Sequence, residues 1–302
     1  MREKILLLFL LLSTAVLVYL YFRNPRVFVL FFRTMRASRH AYYTVIFAAG
    51  YLLGVKISGT IFNTVVFVSG ILLMNVLFAS SLAINNVYDK KIDALNDKDN
   101  ILNSSGLGLH DYYILFFSLM GVSLVISTAV SFMVLLLAIV IHITSWIYSS
   151  PPLHLKKVFI LNTLLIAFST LLAMALGFAA SSGSVVLFPP GLAFTVIIVL
   201  TLAFNTKDVN DYKGDKKHGV KTIVTVFGQK KGRMITAVLA FAGYLLVPVL
   251  LNAYGLLIPS AAFGGITYAV INTKKRRINE TLIFGLFFAF AAVFAFVNPN
   301  IR

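Results

Sequence analysis

The 302-residue chain has no cysteine, one tryptophan, and ten acidic residues against 26 lysines and arginines. Without thiols it can form neither disulfides nor thiolate zinc or iron-sulfur sites, and it has no Cys nucleophile. Any metal must therefore be held by oxygen or imidazole. Charge of either sign is scarce at 12% of residues, whereas a soluble domain carries about 25%. Apolar residues make up 59%, so composition indicates a polytopic membrane protein. The formal charge of +16 then reads as the Lys/Arg excess of cytoplasmic loops, and nucleic acid is excluded as the partner.

Nine apolar runs are suited to transmembrane helices: Ala41–Val55, Ile61–Asn86, Tyr112–Ala129, Phe132–Tyr148, Val158–Ala180, Leu192–Phe204, Ile235–Asn252, Leu256–Ile271 and Thr281–Val297. At roughly 20 residues each they leave no room for a separate soluble domain of ordinary size. The expectation is a single transmembrane domain over 36–302, preceded by an N-terminal region, 1–35. That region holds the uncharged segment Ile5–Phe22, flanked by Arg2, Lys4, Arg23 and Arg26. The segment ends Val-Tyr-Leu-Tyr-Phe, without the small residues of a cleavage site, which disfavours a cleaved signal and leaves its topology open. Nine spans place 24 of the 26 basic residues on one face, with Lys56 and Arg302 opposite. The positive-inside rule makes that face cytoplasmic.

The acids are concentrated. Asp89, Asp93, Asp97 and Asp99 follow the second run, and Asp208, Asp211 and Asp215 follow the sixth, on the same predicted face. Asn86-x-x-Asp89-x-x-x-Asp93 repeats as Asp208-x-x-Asp211-x-x-x-Asp215 after 122 residues. On a helix, positions i, i+3 and i+7 lie within about 60° of one another, so each motif presents three oxygen-bearing side chains on one face. Asn85 stands four residues before Asp89 and shares that face. Carboxylates in such number call for cations, since like charges raise each other's pKa. Mg²⁺, with Mn²⁺ as a substitute, answers that need by taking one or two carboxylates and filling its octahedron with water and phosphate oxygens. Such a site would neutralise a leaving diphosphate. The plainer reading is a solvated surface on which Asp and Lys pair, and the duplication weighs against it.

A third segment, Tyr148-Ser-Ser-Pro-Pro-Leu-His-Leu-Lys156-Lys157, lies on the same predicted face. Its double proline ends the fourth run, and Tyr148 and Lys156 are candidates for contacting phosphate. His142, inside that run, is a functional candidate because it is polar and intramembrane, although a packed, hydrogen-bonded histidine is the preferred reading.

At these residues the chain resembles the UbiA superfamily of intramembrane prenyltransferases. The resemblance rests on Asn85-Asn86-x-x-Asp89-x-x-x-Asp93, Tyr148 to Pro152, and Asp208-x-x-Asp211-x-x-x-Asp215 with Lys217, Gly219 and Thr222. It implies an all-α fold of nine helices around a central cavity. It also implies Mg²⁺ on Asn85, Asn86, Asp89, Asp93, Asp208, Asp211 and Asp215, with diphosphate contacts from Arg36, Lys98, Tyr148 and Lys156. The implied reaction moves an isoprenyl group from its diphosphate, by ionisation to an allylic cation, onto a lipophilic acceptor such as an aromatic quinone precursor or a glyceryl-phosphate lipid. Two departures stand out. Asn86 occupies a position where the family usually has Asp, and the family's Arg-rich stretch after the first motif is reduced to Leu95 to Asn100, where Lys98 is the cation left. Two other classes compete. A secondary transporter would explain the repeat but would hold its acids near the bilayer midplane. A phosphatidyl-type transferase would carry them in one contiguous motif.

Overall fold

The computed structural model describes residues 36–96, 109–273 and 277–297, with scattered positions between 4 and 25. Ile5–Phe22 therefore lies largely outside the described residues, as do Arg33, Asp97, Lys98 and Asp99. Among the described residues the chain is helical, without strands. The helices are α1 (Ala37–Ser58), α2 (Thr64–Leu95), α3 (Leu109–Val130), α4 (Phe132–Ser149), α5 (Leu161–Ser182), α6 (Pro190–Ala203), α7 (Thr206–Lys217), α8 (Ile223–Phe227), α9 (Gln229–Leu250), α10 (Leu257–Ile271) and α11 (Glu280–Val297). Short 3₁₀ turns stand at Leu155–Lys157 and Tyr254–Leu256.

Every apolar run falls on a helix. Among the described residues seven helices are long and apolar enough to cross a membrane, and there is an eighth span if α6 and α7, bent by 50°, form one. The run Tyr112–Ala129 coincides with α3, whose described apolar part, Leu115–Val130, is shorter than a full span. The bend after α6 has a local cause. Asn205 Nδ2 donates to the carbonyls of Thr201, at 2.9 Å, and Leu202, at 3.1 Å, and so satisfies acceptors that the ending helix leaves open. The apolar arm is α6. The arm beyond the bend, α7, carries three Asp and four Lys in 12 residues and belongs outside the hydrocarbon.

The chain divides into two compact units, one of Met1–Leu153 with Leu172–Phe188, the other of His154–Leu171 with Pro189–Arg302. In the first, α1 meets the second half of α5 through small residues. A Cβ on Gly50 would stand 1.9 Å from the Met174 carbonyl, and one on Gly177 would stand 2.1 Å from that of Phe47. Spans have little hydrophobic force between them in lipid, so this close backbone approach, which maximises dispersion contacts, is what holds the pair. Asn63 caps α2 by accepting from Val66 N at 3.0 Å, while Tyr51 OH donates to the Asn63 carbonyl and ties the cap to α1. Further along α2, Ser81 and Ser145 meet at 2.7 Å, a polar tie to α4. In the second unit the core gathers Val209, Val224, Ala237, Ala240, Ile271 and Ile278. It thereby joins the polar helix α7 to the apolar helices α9 and α10.

Candidate metal and diphosphate site

The first motif lies on a helix, as its spacing predicts. Span and motif form one rod, α2, of 32 residues, so Asp89 and Asp93 continue the membrane helix without a loop. Asn86 and Asp93 are buried, while Asn85 and Asp89 are half-buried. Arg36 Nη2 stands 3.8 Å from Asp93 Oδ2. Arg36 caps α1 with a left-handed backbone, φ 46°, a conformation uncommon outside glycine. Arg36 thus pairs with the first motif. Asn85 Nδ2 donates to Ser149 Oγ at 3.4 Å, linking the motif to the Tyr148 to Pro152 segment within the same unit. Tyr148 is half-buried, and Ser149 and Ser150 are buried.

The second motif occupies α7. Asp208 is 2% exposed and Asp215 is buried, whereas Asp211 is half-buried. Asp208 takes a hydrogen bond from Asn162 Nδ2 at 3.3 Å and one from Lys207 Nζ at 2.5 Å. Burial pushes its carboxyl above the usual carboxylate range. Lys207 and Asn162 pull it back, and the neighbouring charge of Asp211 adds to the rise. Asn162 was not among the residues singled out from sequence. The available signal was its position as a polar residue inside the apolar run Val158–Ala180, which is the mark of an intramembrane functional candidate. The residues after α7 also have assignable tasks. Gly219 takes φ 72°, and Val220 N donates to the Asp215 carbonyl at 2.9 Å, a C-terminal closure that glycine favours. Thr222 opens α8 with a reciprocal cap through Thr225.

Lys156 lies in the 3₁₀ turn Leu155–Lys157 and is 6% exposed. His154 and Ile160, on either side, have φ of 42° and 69°. A β-branched residue such as Ile160 rarely adopts that region, so the turn that buries Lys156 is held in a costly shape. Lys221 N donates to the Lys157 carbonyl at 3.1 Å, anchoring the turn within its unit. Burial, helped by Lys157, pushes His154 below the usual imidazole range. His142 is packed and hydrogen-bonded to Ser123 Oγ at 2.8 Å, with Phe116 edge-on to its ring. That is the arrangement of a structural histidine.

Among the described residues no three His, Asp or Glu side chains converge into a group able to hold a metal alone. Mg²⁺ does not require three, because it keeps waters and shares phosphate oxygens. The first motif offers carboxylate and amide oxygens on α2 and the second three carboxylates on α7, and in each a cation stands against the most buried Asp. Asp89 and Asp211 are each half-buried within their own unit.

A model of the UbiA prenyltransferase family matches residues 42–272. The digeranylgeranylglyceryl phosphate synthase of Metallosphaera sedula is 29% identical over 147 residues, 48% of this chain and 51% of the relative. A chloroplastic 2-acylphloroglucinol 4-prenyltransferase of Humulus lupulus is 26% identical over 225 residues, 70% of this chain and 49% of the relative. The chain thus spans about half the length of these two curated relatives. Among solved structures, a UbiA homologue from Archaeoglobus fulgidus bound to GPP and Mg²⁺ covers 90% of this chain and 99% of its own, with a TM-score of 0.68 and 20% identity. The fold is shared.

Proposed function

The chain belongs to the UbiA prenyltransferase family, and from that premise we propose that it is a Mg²⁺-dependent intramembrane prenyltransferase. The observation that carries the reading is the duplicated Asp motif, each copy on a helix, in a chain whose family match spans both copies. The transferase domain is assigned to 36–302. Asn85, Asn86, Asp89 and Asp93 in one unit and Asp208, Asp211 and Asp215 in the other are the oxygen donors for Mg²⁺. When bound, Mg²⁺ neutralises the diphosphate so that the bond to the allylic carbon can break. Mg²⁺ and GPP in the Archaeoglobus structure support the metal and the donor class.

The chain's own groups do the rest. Arg36, Lys98, Tyr148 and Lys156 bind the diphosphate, and of these Lys98 lies outside the described residues. Arg36 and Lys207 stand against Asp93 and Asp208 as their cationic partners. Aromatic faces, from 27 Phe and 13 Tyr, offer a cation-stabilising lining. The carbon-oxygen bond to diphosphate breaks with its electron pair on the diphosphate. The acceptor then supplies the pair for the new bond and gives up its proton. The acceptor class is lipophilic, an aromatic ring or a glyceryl-phosphate hydroxyl, as in the relatives' names. The relatives described above are transferases and synthases, and no observation favours the carrier.

The test is turnover of geranyl and geranylgeranyl diphosphate against a panel of both acceptor classes. Activity is expected with Mg²⁺ or Mn²⁺ and lost in EDTA, and full activity in chelator overturns the reading. The cytoplasmic placement of the motifs is tested in the naturally Cys-free chain. Lys98→Cys, Lys157→Cys and Lys217→Cys are expected to react from the cytoplasmic side, and Gly59→Cys and Gly183→Cys from outside. Reaction of Lys98→Cys and Lys217→Cys from opposite faces would remove the shared site.

A further inference from the structure

The second motif contains a polar residue with no part in the proposed chemistry. Asn210 stands between Asp208 and Asp211, roughly 100° to 160° around the helix from the three Asp. Its amide is fully committed elsewhere. Oδ1 accepts from Ile278 N at 2.9 Å, and Nδ2 donates to the Ile278 carbonyl at 3.2 Å and to Glu280 Oε1 at 2.8 Å. One side chain thus pairs with both backbone groups of Ile278, as a neighbouring strand would, and with the first residue of α11 across 70 residues of sequence. The pattern fixes the amide orientation, because Oδ1 faces an N–H and Nδ2 faces two oxygens. Ile278 is buried in the same cluster as Val209, and the three hydrogen bonds are part-buried, so the contact is partly shielded from water.

A helix of 12 residues, seven of them charged, is marginal by its own propensity. Its partners set its roll about its axis. Side-chain tips lie about 5–6 Å from a helix axis, so a 10° roll moves a carboxylate by about 1 Å. Catalytic and metal sites need their groups held to within about 0.5 Å, so a displacement of that size is costly. We infer that Asn210 and Glu280 form a clamp that sets the roll of α7, and thereby the aim of Asp208, Asp211 and Asp215, making Asn210 a positioning residue for the metal-diphosphate site. The inference rests on the prenyltransferase reading for its purpose and on the hydrogen bonds for its geometry.

Two readouts test the two parts. A nitroxide on Lys213→Cys, an exposed position of α7, reports the clamp without any ligand. Asn210→Ala is expected to raise its mobility, and an unchanged spectrum overturns the clamp. The half-saturating Mg²⁺ concentration for geranyl diphosphate turnover, and Mn²⁺ binding followed by EPR, report the purpose. Asn210→Ala is expected to shift both about tenfold, as loss of a residue that orients metal ligands commonly does. Asn210→Asp sets two carboxylates against each other and is expected to shift them further. Glu280→Gln added to Asn210→Asp restores a donor across the contact and is expected to recover much of the loss. Ile283→Ala, which thins the same apolar cluster, is the stability control and is expected to lower Tm without moving the metal dependence. If Asn210→Ala lowers Tm and leaves metal dependence at the wild-type value, the positioning role is overturned. If the wild type shows neither turnover nor diphosphate-dependent Mn²⁺ binding, the functional reading and the clamp's purpose fall together, while the nitroxide spectrum still decides the geometry.

Discussion

The two Asp motifs share one spacing and differ in mechanical support. The first is the end of a membrane span. α2 runs unbroken through it, so the position of Asp89 is inherited from a rod packed along its length in the first unit. The second sits on a separate short helix after a 50° bend. Its placement depends on side-chain ties: Asn205 at the bend, Asn162 and Lys207 on Asp208, and Asn210 on Ile278. The charge compensation differs in the same sense. Asp93 takes its cation from a residue 57 positions away in sequence, whereas Asp208 takes its cation from the adjacent residue. A repeated motif therefore does not imply repeated energetics. A ligand set at the end of a long helix needs little local help, and one on a short polar helix needs a hydrogen bond for each degree of freedom to be fixed.

The comparison yields predictions of decreasing size. Asp89→Asn and Asp211→Asn are expected to cost about 3–4 kcal/mol in the transition state, a hundredfold or more in rate, with detergent gel filtration unchanged. Rates close to wild type in both would reduce the motifs to solvated surface. The next largest effect is on stability. Asn162→Ala removes a donor from a carboxylate that is 2% exposed, and thermal unfolding in detergent should register about 1.5–3 kcal/mol. Arg36→Ala is expected to cost about 1 kcal/mol or less, because the Arg36–Asp93 pair is 3.8 Å apart with the Arg side chain 23% exposed. Equal losses from the two would show that the motifs are supported alike. The smallest change is expected from Asn86→Asp, which restores the usual family residue. It should tighten Mg²⁺ binding with less than about tenfold change in turnover, since the proposed site already offers several carboxylates. A larger change in turnover would make Asn86 a position that tunes the first motif.

Much of this could be read from the residues in order. The scarcity of charge and the absence of thiols excluded a soluble protein and soft-metal chemistry. The periodic Asp spacing placed Asp89 and Asp93, and Asp208 to Asp215, on single helix faces. Apolar runs marked where helices stand, because burying backbone polar groups in lipid forces intrasegment hydrogen bonding. Pro248 stands inside α9, within the run Ile235–Asn252 expected to be helical from its apolar character.

What tertiary structure alone decided are the pairings. That Arg36 reaches Asp93, that Asn162 holds Asp208, and that Asn210 grips Ile278 and Glu280 across 70 residues follow from how helices pack. Composition and local periodicity set the type of each element and the face that carries its chemistry, because those depend on neighbours within a turn or two. Contacts between distant segments depend on which small residues let backbones approach, such as Gly50 and Gly177, and on where a buried polar group finds its partner. No property of a single stretch of sequence contains that information.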